Sequence, residues 1–267
     1  MKNYIKLASS IAAITASLSV SAGTIDLFTT QQDVSIAGDQ TPGATAFSQA
    51  ADLSTPSSIL GGYRDMEVKL VTPDGNPGNT VKMNAFNGYL SFSADAGLTG
   101  QGTIQWDGND NSAALDETGL GGIDFTALGN QFTFDVVNAD HAFDFSIGLY
   151  DMAGNHTIFD LQATQGTHTT NIAFSFFENA YNTYNSGGCI GPNSLPGNVN
   201  SVECVGGPLD LTNIGALEVV IGTNGGVSEL DLKIGSVTAV PEPASLALMG
   251  LGFLAFGFAG QRKSKKA

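Results

Sequence analysis

Just after the single tryptophan, Trp106, the chain runs Asp107-Gly108-Asn109-Asp110-Asn111, and Asp116, Glu117 and Asp124 follow closely. Carboxylate and amide oxygens gathered in one loop are what a hard cation such as Ca²⁺ takes as ligands. Asp107, Asn109, Asp110 and Asp124 are therefore the candidate metal ligands. The loop is not an EF-hand. With Asp107 in the first position, the sixth is Ser112 instead of Gly and the twelfth is Thr118 instead of Glu. Asp-Gly and Asn-rich runs also build ordinary turns, so a solvated acidic turn is the competing reading. No cofactor other than this Ca²⁺ is suggested.

Other chemistry is sparse. His141, His156 and His168 lie in or beside turn sequences, and none sits in a metalloprotease or nucleophile motif. There is no Gly-x-Ser-x-Gly elbow and no phosphate-cradling glycine loop before a helix. The expectation is a protein that is not an enzyme, although many carboxylates leave a glycosidase-like pair open. Tyr63, Tyr181 and Tyr184 are the candidate ligand-binding aromatics. Cys189 and Cys204 are the only cysteines. Two thiols so spaced, with no nearby histidine, make a poor zinc set. In an oxidising compartment they are expected to form a disulfide that closes a 16-residue loop, a constraint of about 3 kcal/mol.

The elements that must position these residues show period-two alternation. Met66, Val68 and Leu70 alternate with Asp65, Glu67 and Lys69; Phe132, Phe134 and Val136 with Gln131, Thr133 and Asp135; Phe143, Phe145, Ile147 and Leu149 with Asp144, Ser146 and Gly148. Ile172, Phe174 and Phe176 repeat the pattern, as do Leu217, Val219 and Ile221, then Leu230, Leu232 and Ile234. Each run reads as a strand with one apolar face. Gly, Asn and Asp cluster between them at residues 73–79 and 151–155. About ten strands with turn-rich connections predict a mainly β protein, a single antiparallel β-sandwich of jelly-roll-like form. Trp106 and Ile104 share one face of a strand and are expected in the core, and Arg64 is expected to pair with a carboxylate. Residues 24–29 read as an edge strand followed by loop, and residues 179–208 as a long loop stapled by the cysteines.

The two ends have a different character. Residues 1–22 carry two early lysines, an apolar stretch and the small-residue ending Val20-Ser21-Ala22, which reads as a signal peptide cut after Ala22. Residues 241–267 begin Pro241-Glu242-Pro243, continue as an uncharged apolar run at 244–260, and end in Arg262-Lys263-Ser264-Lys265-Lys266. That is a break, a segment at the short limit for crossing a bilayer, and cations that hold its end in the cytoplasm. The sandwich is assigned to residues 23–240. Between the ends only Arg64, Lys69, Lys82 and Lys233 stand against 24 acids, a net charge of −20. With no basic surface to neutralise phosphates, nucleic-acid binding is excluded.

The three-part C-terminus closely resembles the PEP-CTERM sorting tag of Gram-negative bacteria. The segments at 59–65, 104–110, 119–126 and 210–217 are similar to the sandwich domain of many exported proteins that bear this tag. The resemblance implies export through the inner membrane with the help of signal peptidase, transient membrane insertion, and processing by an exosortase. It further implies a cell-surface or extracellular-matrix protein, structural and associated with exopolysaccharide. A carbohydrate-binding module is the alternative, with a secreted hydrolase behind it.

Overall fold

A computed structural model describes residues 22–184 and 199–241, the Tyr184 side chain excepted. The strands are β1 (Gly23–Asp26), β2 (Gln32–Ala37), β3 (Thr45–Ala51), β4 (Tyr63–Thr72), β5 (Thr80–Phe86), β6 (Tyr89–Ala94), β7 (Thr99–Trp106), β8 (Gln131–Ala139), β9 (Phe143–Asp151), β10 (His156–Ala163), β11 (His168–Ala173), β12 (Val199–Val205), β13 (Ile214–Ile221), β14 (Val227–Ser228) and β15 (Asp231–Val240). One α-helix, α1 (Phe174–Tyr184), and two 3₁₀ turns, Leu60–Gly62 and Phe125–Ala127, complete the described elements.

The strands form two antiparallel sheets. The first runs β11-β8-β15-β6-β5-β2, with β1 added beside β15, and the second runs β12-β10-β9-β13-β7-β4-β3, with β14 on β7. The inward residues are those the alternation marks: Met66, Val68 and Leu70 from β4, Phe132, Phe134 and Val136 from β8, and Leu217, Val219 and Ile221 from β13 share one continuous buried cluster. Burying one apolar face of each sheet against the other is what drives the pair together. The sheets approach closely where β7 has no side chains. A Cβ on Gly102 would lie 2.8 Å from the Phe92 ring, and one on Gly100 would lie 2.4 Å from Val81.

Trp106 and Arg64 both point into this interior, and both are essentially unexposed. The Arg64 Nη1 donates to both oxygens of the buried Asp26 carboxylate, at 2.9 and 3.0 Å. Its Nε donates to Gln32 Oε1 and its Nη2 to the Thr30 carbonyl. Trp106 Nε1 and the Phe28 amide fill the remaining lone pairs of Asp26. Burial pushes the Asp26 carboxyl up from its ordinary value, while Arg64, the Phe28 amide and the indole act against that rise. Every buried charge and lone pair in this group thus has a partner.

Three expectations need correction. Strand β11 ends at Ala173, so Phe174 and Phe176 are not strand residues but open α1. Phe174, Phe177 and Ala180 form the buried stripe of the helix, and Phe176 is left 43% exposed. Phe174 and Phe177 meet Phe132 and Phe159 edge to face, at 4.7 Å and 4.9 Å between ring centres. Spacing of three residues therefore outweighed the spacing of two. The stretch after residue 29 is not mostly loop, because it holds β2 and β3. β3 is an edge strand of small and polar residues, Thr45-Ala-Phe-Ser-Gln-Ala-Ala51, with no fully buried side chain to mark it. The presumed loop at 179–208 likewise contains the end of α1 and strand β12.

Candidate functional site

The outward face of the second sheet carries polar side chains in register. Pairing aligns Gln49 of β3 with Asp65 of β4, Asp65 with Gln105 of β7, Gln105 with Glu218 of β13, and Glu218 with Gly148 of β9. Neighbours on such a rung stand about 5 Å apart on one face. Gln105 Nε2 donates to Glu218 Oε2 at 2.8 Å, and Gln49 Nε2 donates to Asp65 Oδ2 at 3.1 Å. The Tyr150 hydroxyl donates to Glu218, its ring lying across the bare backbone of Gly148. Burial, with Glu218, Glu117 and Glu203 nearby, holds the Tyr150 phenol well above its ordinary value.

Asp107 follows β7 directly and stands one rung beyond Gln105. The loop after it folds back tightly. Gly108 has φ +93°, and a Cβ on Gly119 would lie 1.6 Å from the Asp107 carbonyl oxygen. A Cβ on Gly215 at the start of β13 would lie 2.1 Å from the Glu117 carbonyl oxygen. Glycines at both positions let the loop lie flat against the sheet end. The fold-back also places the Asp116 amide 2.9 Å from Asp107 Oδ2.

The result is a group of three carboxylates, Asp65, Asp107 and Asp110, each offering an oxygen within 4.8 Å of the others. Asp65 and Asp107 are each 1% exposed, and Asp65 Oδ1 and Asp107 Oδ1 are buried with no hydrogen-bond donor. Burial pushes Asp65 up to about 8, with its contact to Asp107 and the Asp110 charge adding to the rise. Asp107 is raised as well, again chiefly by burial. Among the described residues the ion pairs are Arg64–Asp26 and His141–Asp140, and neither reaches this group.

The loop thus contributes two of its four sequence-assigned ligands, Asp107 and Asp110. Asn109 is exposed in the same loop between them, and Asp124 instead caps the 3₁₀ turn at Phe125–Ala127 through the Thr126 and Ala127 amides. Asp65, 42 positions before Asp107, was not assigned from the sequence. The signal was faint: alternation puts Asp65 on the outward face of β4, but only the β4–β7 register brings it to the loop. Tyr63 lies half-buried two residues before Asp65 on that same face. Tyr181 lies on α1, which packs against β10 and β12. Strands β10 and β4 are four positions apart in the sheet, about 19 Å, so the two tyrosines form no common platform. The Tyr184 side chain lies outside the described residues.

Cys204 is half-buried on β12, against the core. Cys189 lies outside the described residues, and so does the expected bridge between the two. Pro241 is the last described residue. Glu242, Pro243 and the apolar run 244–260 lie beyond it, as do residues 1–21 of the expected signal peptide. Among the described residues no helix is long and apolar enough to cross a membrane.

Residues 239–263 match the signature of the PEP-CTERM protein-sorting motif. The chain carries a PEP-CTERM sorting tag. The tag implies export and membrane-anchored processing by an exosortase. No curated protein matches the chain significantly. Solved structures similar to it include a family 11 carbohydrate-binding module of the cellulosomal cellulase Lic26A-Cel5E of Clostridium thermocellum. That module is 13% identical, over 84% of this chain and 98% of that one, with TM-score 0.35. An exo-beta-agarase is 15% identical over 77% of this chain, with TM-score 0.38. The chain spans about a quarter of the agarase's length, 24%. Likenesses this slight say nothing of what the protein binds.

Proposed function

We propose that this is an exported cell-surface or extracellular-matrix protein, held at the inner membrane by its tag, processed there by an exosortase, and contributing structurally to an exopolysaccharide-rich envelope. On this reading the sandwich performs no turnover of its own. The observation that carries it is the sorting motif, which begins at residue 239, within the last two residues of β15. The sandwich and the tag are contiguous, which suits a temporary hold on a folded body. A net charge of −20 over residues 23–240 supports a solvated life outside the cell. The test replaces Pro241, Glu242 and Pro243 by alanine in a host with an exosortase. Full-length protein is expected to accumulate in the inner membrane, and processing at the wild-type rate would refute the reading.

A second reading, glycan binding beside the outward face of the second sheet, is favoured by half-exposed Gln49, Glu218 and Tyr63, which flank the buried pair Asp65 and Gln105. Hydrogen-bonding groups next to an aromatic edge are what a sugar requires. Retention on immobilised exopolysaccharide that Tyr63→Ala reduces at least tenfold would support it. Absence of retention leaves the structural role alone.

A further inference from the structure

Two buried carboxylates, each with an oxygen that has no donor, cannot both stay ionised without a positive charge between or beside them. Asp65 Oδ2 is tied to Gln49 and Asp107 Oδ2 to the Asp116 amide, which leaves Oδ1 of each acid unpaired. Asp110 enters from the loop as the third acid and is exposed, so the group has a solvent-facing side. Among the described residues the surroundings supply no cation. Gln49 on β3 and Gln105 on β7 are neutral, Glu67 on β4 and Glu218 on β13 are acids, and Asp116 in the loop is a further acid. Arg64, adjacent to Asp65, faces the interior and is committed to Asp26. Lys69 acts on Glu67.

We propose that Asp65, Asp107 and Asp110 form a binding site for a divalent hard cation, Ca²⁺. Oxygens at 2.3–2.6 Å from a calcium ion are at most about 5 Å from one another, and one oxygen of each of the three carboxylates lies within 4.8 Å of the others. The donors are all oxygen. Among the described residues no histidine or cysteine belongs to the group, which disfavours zinc and the later transition metals. The exposed position of Asp110 gives the ion an entry path and room for water ligands. Both buried acids come from the ends of paired strands, so the oxygens are held before the ion arrives. The site is independent of the sorting tag, and either can fail without the other.

The test uses the full chain, stripped with chelator, with melting followed at constant pH and ionic strength. CaCl₂ at a few millimolar is expected to raise the melting temperature, with a dissociation constant on the order of 10⁻⁴ M by calorimetry. Mg²⁺, which sheds its water reluctantly, should act less. Asp110→Asn, at an exposed position that does not endanger folding, should weaken calcium binding at least tenfold. Asp107→Asn should abolish the calcium response. No calcium-dependent shift in melting, or wild-type affinity in Asp110→Asn, would overturn the proposal.

Discussion

Arg64 and Asp65 are adjacent in sequence and opposite in circumstance. Arg64 turns inward to a carboxylate whose lone pairs are all filled, whereas Asp65 turns outward to two other acids. Removing Arg64 would leave Asp26 as an uncompensated buried charge. Arg64→Leu is expected to destabilise the fold by about 3–5 kcal/mol in urea unfolding. The double variant Asp26→Asn/Arg64→Leu should recover part of that loss, because it removes the orphaned charge. Equal destabilisation by the single and the double variant would show that the pair contributes through packing alone. The pairing of Arg64 with a carboxylate was readable from the sequence, since one of four cations set among 24 acids finds one readily. That the partner is Asp26 was not, because nothing local links residue 26 to residue 64.

At the scale of elements, alternation marked strands β4, β8, β9, β13 and β15, where one face is strongly apolar. It missed β3, whose edge position asks little of its side chains, and it mistook the start of α1 for strand because Ile172, Phe174 and Phe176 suit a period of two at short range, while Phe174 and Phe177 suit a helix. The acidic loop shows a comparable division. Its oxygen-rich composition pointed to Asp107 and Asp110, but its shape depends on β13. Gly119 and Gly215 are needed because two backbones touch there, a demand set by tertiary approach. Gly119→Ala would place a carbon against the Asp107 carbonyl oxygen and push the loop off the sheet end. The expected cost is about 1–3 kcal/mol, measured by urea unfolding, together with weaker calcium binding in titration. If the variant unfolds and binds calcium as the wild type does, the loop does not set the position of Asp107.

For the molecule as a whole, the point of attachment matters as much as the body attached. β15 leads straight into the sorting tag, and it is no edge strand. β8 flanks it along one side, while β6 and then β1 flank it along the other. A tether drawn from Val240 pulls this strand lengthwise, so the hydrogen bonds on both flanks are strained in shear and must fail together. A lengthwise pull on an edge strand such as β3 or β12 would load the hydrogen bonds of one flank only. The sandwich is therefore joined to its tag by a strand held on two sides, which resists tension while the tag keeps the body at the membrane.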